Sequence, residues 1–141
     1  MPHDPELVAE TRGWLARARA DLAGGRVDLS VEPPLTGDAV FHAQQAAEKA
    51  VKAYLTWHSQ VFRKTHNLTE LGEHCARLDP SLEPLLRRAA SLTEYAWRFR
   101  YPGELDEPPR EEAEEALAVA REVYKEVLAR LPAEVAPEPA R

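Results

Sequence analysis

The sequence predicts an all-α domain, an up-and-down four/five-helix bundle, and three observations predict it. Apolar residues recur at three- and four-residue spacing in five successive segments, the period of a helix packed on one side. No stretch keeps the apolar/polar alternation of a half-buried strand. Helix punctuation, in the form of Gly, Pro, Asn and Asp, falls between the segments. At 141 residues the chain has the size of one domain with a real core. The reading is a single bundle over residues 1–131 and a disordered tail over 132–141.

The first helix is predicted from about Leu7 to Leu22, with Leu7, Thr11, Trp14, Leu15, Ala18 and Leu22 on one face. Gly24-Gly25 is expected to end it, as glycine after the last apolar position often does. A loop containing Pro33-Pro34 follows. The second helix is predicted from an Asp38 N-cap through an Ala-rich run from Ala39 to about His58. Its stripe of Val40, Ala43, Ala47, Val51, Tyr54 and Leu55 contains small residues that let another backbone approach, so it reads as the central helix. In the third, Asn67 caps and Glu70 stands three residues on, a capping-box-like pair. Leu68, Leu71, Cys75 and Leu78 then share a face. The fourth restarts at Asp79-Pro80-Ser81 and carries Leu82, Leu85, Leu86, Ala89, Ala96 and Trp97 as far as Arg100-Tyr101, where Pro102-Gly103 stops it. The fifth follows Pro108-Pro109. Glu111, Glu112, Glu114 and Glu115 suit its positive end. Ala113, Ala116, Leu117, Ala120, Tyr124, Val127, Leu128 and Leu131 line it, and Val119 and Val123 widen the stripe, a hint of a homodimer.

A net charge of -6 argues against a constitutive, nonspecific nucleic-acid binder. One cysteine excludes an internal disulfide and a cysteine-rich zinc site. Residues 1–10 are polar and acidic, unlike a signal peptide. No apolar run reaches the roughly 20 residues of a membrane span, so the expected location is the cytoplasm. The chain has no Ile, one Asn, far more Arg than Lys, and 12 Pro. That bias fits a thermophile, and a GC-rich genome equally.

The sequence holds no self-evident metal, P-loop or triad set. His3, His42, His58, His66 and His74 include no i, i+4 pair, and no carboxylate-His pair repeats as in a di-iron bundle. No metal or cofactor is expected. Gly24-Gly25 lacks the Lys-Ser/Thr of a phosphate loop. Cys75, on an apolar face, reads as a core residue. Ser30, Ser59, Ser81 and Ser91 have no triad context.

Three local patterns carry more chemistry. Phe41, Gln45, Glu48 and Lys52 recur at i, i+4, i+7 and i+11, a line beside the apolar stripe of the second helix. Either Glu48 and Lys52 form an ordinary solvated ion pair, or the line lies in a groove and holds a polar ligand or a facing arginine. The stretch Tyr95 to Pro102 interleaves Arg98 and Arg100 with four aromatics. A continuous helix would put Arg100 on the core side, where it needs a partner, and Glu48 is the obvious one. The same residues could stack on a base and bind phosphate, or form a packed helix end whose Arg stems cover Trp97 and Phe99. Finally, Arg63, Lys64, His66 and the first amides of the third helix could hold a phosphate; His66 could instead be a capping loop residue.

The segment Phe41-His42-Ala43-Gln44-Gln45-Ala46-Ala47-Glu48-Lys49-Ala50-Val51-Lys52-Ala53-Tyr54-Leu55, with Thr65-His66-Asn67-Leu68 and Arg100-Tyr101-Pro102, resembles HEPN domains (higher eukaryotes and prokaryotes nucleotide-binding) over roughly Leu7 to Leu131. The resemblance implies a four- or five-helix bundle, usually dimeric, and frequent pairing with a minimal nucleotidyltransferase in a toxin–antitoxin arrangement. It also implies nucleotide binding like that attributed to the related domain of the chaperone sacsin. Many members of the family are metal-independent ribonucleases with a motif of Arg, four to six residues, then His. That motif is missing here: only two residues separate Arg63 from His66, and no His follows Arg98 or Arg100. By resemblance Gln45, Glu48, Lys52, His66, Arg100 and Tyr101 face a shared groove, and Arg98 joins them on chemical grounds.

The leading expectation is therefore a non-catalytic module that binds a nucleotide, RNA or another anion, or docks a minimal nucleotidyltransferase protein. One alternative is an atypical ribonuclease with His66 as general acid or base and Arg100 stabilising charge. Another is a structural homo-oligomer whose polar line is a buried specificity network.

Overall fold

In a computed structural model, residues 2–103 and 106–137 are described, and the described residues form an all-α bundle of five α-helices. Helix α1 (Pro5–Ser30) starts where Asp4 accepts a hydrogen bond from the Glu6 amide. It does not stop at Gly24-Gly25 but runs on to Ser30. The glycines serve packing instead. A Cβ on Gly25 would sit 2.4 Å from Leu117 Cδ2 of α5, and one on Gly24 would lie 3.2 Å from the His42 ring of α2. The missing side chains let three helices converge, which outweighs the poor helix propensity of glycine.

Helix α2 (Thr36–Trp57) is the central element. Its small residues Ala39, Ala43, Ala46, Ala47, Ala50 and Ala53 are all fully buried, under α1, α5 and α3. Asp38 is not its N-cap. The helix starts three residues earlier, at Thr36 behind Leu35, and Asp38 lies in the first turn, where the helix dipole still favours a carboxylate. An ion pair, Lys49 Nζ to Asp21 Oδ2, and a hydrogen bond between His42 Nδ1 and Asp28 Oδ2, both at 2.6 Å, fasten α1 to α2.

Helix α3 (Leu68–Leu78) begins as expected, with Asn67 Oδ1 accepting from the Thr69 and Glu70 amides. The fourth predicted helix is broken. Its α-helical part, α4, spans Glu83–Ala90; a tighter 3-10 segment covers Ser91–Ala96, and Phe99 has a positive φ of 68°. The 3-10 winding lets Thr93 Oγ1 accept the Leu68 amide across the bundle at 3.1 Å. Trp97 consequently leaves the core face and is 50% exposed.

Helix α5 (Arg110–Ala129) has the predicted wide face. Its width is used within the chain, because α1, α2 and α4 each pack on it. After Pro132, where disorder was expected, the described part of the tail carries a 3-10 turn, Ala133–Val135, with Val135 fully buried. Residues 138–141, the rest of that expectation, lie outside the described residues. Among the described residues no helix is long and apolar enough to cross a membrane.

Candidate functional site

The polar line on α2 divides into two structures, one buried and one on the surface. Glu48 is 3% exposed and Lys52 6%. Lys52 Nζ lies 3.0 Å from Glu48 Oε2 and over the Trp14 and Phe62 rings, 5.5 and 6.0 Å from their centroids. Glu48 Oε1 accepts from Gln44 Nε2 at 3.1 Å and meets His66 Nδ1 at 2.7 Å. Gln44 Nε2 also donates to the His66 carbonyl at 3.1 Å, while its own oxygen accepts from Gln45 Nε2 at 2.6 Å. Both carboxylate oxygens of Glu48 are thus satisfied inside the bundle, which such burial requires.

Spacing did not single out Gln44. It is fully buried and holds both Glu48 and the loop bearing His66. The sequence signal for it is its i, i+4 relation to Glu48, which the Gln45–Glu48–Lys52 spacing does not include. His66 is the network's only member whose side chain is mostly in solvent, at 64%. Glu48 and Lys52 therefore support a surface histidine from below; they do not line an open groove.

Arg100 does not reach Glu48. Its guanidinium pairs with Asp38 Oδ1 at 3.2 Å and lies 3.9 Å from the Phe41 ring centroid. The helical wheel that turned Arg100 inward assumed an unbroken α-helix, and the 3-10 segment changes the phase. Arg98 pairs with Glu94 at 3.0 Å and lies 4.6 Å from the Phe99 centroid. Tyr101 is 64% exposed. Arg98, Arg100, Trp97 and Tyr101 thus form an exposed arginine–aromatic ledge, tied to the start of α2 through Arg100.

His66 and Arg100 are held by different partners on α2. Arg100 is anchored on Asp38 and Phe41, and His66 on Glu48, seven to ten residues further along α2. At 1.5 Å per residue the anchors are roughly 10–15 Å apart along the axis.

The start of α3 is not free to receive a phosphate either. Asn67 occupies the Thr69 and Glu70 amides, Thr93 takes the Leu68 amide and Thr65 Oγ1 the Asn67 amide. Arg63 is engaged by both Glu70 oxygens at 2.7 and 2.9 Å, and these hydrogen bonds hold the Glu70 carboxyl below its usual range. Cys75 is core as expected, and burial pushes its thiol up to about 12. Among the described residues no group of three or more His, Cys, Asp or Glu is placed to hold a metal ion.

Compared with known proteins, the chain matches the family model for the HEPN domain over residues 11–131. No curated protein and no solved structure matches it significantly.

Proposed function

The chain belongs to the HEPN domain family, and from that premise we propose that it is a non-catalytic binding module, one that takes a nucleotide or similar small anion on the arginine–aromatic ledge. We place it in a minimal nucleotidyltransferase system of the toxin–antitoxin kind, with the nucleotidyltransferase as its docking partner and a homodimer as its working form. The observation that carries the reading is the ledge. Two guanidinium groups and two aromatic rings share one exposed stretch, and Arg100 is supported from below by the Phe41 face. Guanidinium forks suit phosphate oxygens, and exposed rings suit a base. The absence of an Arg-x4-6-His motif and the separate anchoring of His66 and Arg100 favour binding over cleavage.

A thermal-shift titration with ATP, GTP and inorganic phosphate tests it. A nucleotide at 100 times its Kd should stabilise the fold by about 2.7 kcal/mol, and Arg100→Ala or Arg98→Ala should remove most of that shift. Shifts that persist in both variants would move the site elsewhere. No shift with any nucleotide, alone or with the co-expressed nucleotidyltransferase, overturns the binding reading.

A further inference from the structure

We propose that Glu48 and His66 form a second site, distinct from the ledge, in which His66 Nε2 is a nucleophile that accepts a phosphoryl group from a donor of the acyl-phosphate or phosphoramidate class. The geometry sets the chemistry. His66 Nδ1 lies 2.7 Å from Glu48 Oε1, and with Lys52 Nζ on its other oxygen at 3.0 Å the Glu48 side chain presents Oε1 to the ring as a hydrogen-bond acceptor. The imidazole proton is therefore fixed on Nδ1. In the neutral ring Nε2 then carries the lone pair, on a side chain that is 64% exposed. Glu48 cannot turn away, because Gln44 and Lys52 hold it. The exposed Lys64 lies two residues before His66 in the same loop.

In the step itself, the Nε2 lone pair forms the N–P bond as the bond from phosphorus to the leaving group breaks. The leaving group departs with that electron pair, and takes a proton from water where it is an amide nitrogen. The ring becomes cationic while keeping its Nδ1 proton, and Glu48 stabilises that cation directly. An open imidazole with a fixed tautomer suits a group acceptor, because the donor needs access more than an enclosing cleft. The clefts lined by Thr69, Gly72, Leu86 and Ala90, and by Leu92, Tyr95, Glu112 and Val119, lie elsewhere.

The test treats the full chain with potassium phosphoramidate and follows acid-labile phosphorylation by mass spectrometry and 31P NMR. His58, also exposed, is an internal control, since its ring rests on Tyr54 at 4.5 Å and, among the described residues, pairs with no carboxylate. The expected result is modification of His66 at Nε2 roughly 10–100 times faster than of His58, by analogy with the effect of a carboxylate behind a metal-bound histidine. Glu48→Gln should remove the advantage. With its amide oxygen drawn to Lys52, the Gln NH2 would face Nδ1 and move the ring proton to Nε2. Equal rates at His66 and His58 in the unaltered protein, or attachment at Nδ1, overturn the proposal without requiring any variant to fold. Neither outcome depends on whether the ledge binds a nucleotide.

Discussion

Lys52 and Glu48 show how a single pair can be legible in sequence while its role is not. Their i, i+4 order was visible, but an exposed pair of that kind contributes only a few tenths of a kcal/mol. Here both groups are nearly excluded from water. Removing one partner leaves the other charge buried and uncompensated, which costs about 3–5 kcal/mol. We expect Lys52→Met to lose about that much in urea denaturation, and the double variant Lys52→Met, Glu48→Gln to recover a good part of it. A single-variant loss below about 1 kcal/mol would mean that water reaches the pair. Spacing could not show the burial, because that depends on Trp14 and Phe62 closing over the ammonium from outside α2. The pairing of Arg100 with Asp38 was hidden for a related reason. Both residues lie near element ends, where the local winding decides direction and the sequence pattern is weakest.

At the scale of the helix, the elements were legible and their interruptions were not. Asn67 and Pro108-Pro109 mark the starts of α3 and α5 because capping is local chemistry. Gly24-Gly25 was misread because a glycine pair looks the same whether it ends a helix or admits a neighbour. The difference lies in Leu117 and His42, distant in sequence. The winding of Ser91–Ala96 likewise answers to the Leu68 amide, which no window of that segment contains. The glycines of α1 offer a direct check. Nothing lies within 4 Å of a Cβ built on Gly13, so Gly13→Ala should stabilise by about 0.5–1 kcal/mol through helix propensity alone. Gly25→Ala gains the same propensity but forces the buried Leu117 aside, at an overpacking cost of about 1–3 kcal/mol. Thermal melts should therefore show Tm rising for the first variant, and falling or standing still for the second. Equal rises would mean that α1 does not approach α5 closely at Gly25.

Across the whole molecule, the question is what closes the bundle beside α1. Composition marked the segment after Pro132 as a tail, since it is short, polar and rich in Pro and Ala. Its described part nevertheless carries a side chain as buried as any in the core, Val135. Arg12 donates to the Glu134 carbonyl, His3 pairs with the Glu134 carboxylate, and Arg19 Nη1 reaches the Pro137 carbonyl at 3.2 Å. Contacts from residues 3, 12 and 19 to one short segment join the two ends of the described chain along a single face, so the segment belongs to the cooperative unit. Val135→Ala should then cost about 1–2 kcal/mol, the value of two buried methyl groups. Deletion of residues 132–141 should cost more, since the Arg12 and Arg19 hydrogen bonds go with it. Both losses are to be read from denaturation midpoints at unchanged m-value, the signature of altered stability without altered cooperativity. A deletion variant as stable as the full chain would make the turn an accessory and restore 1–131 as the complete folding unit.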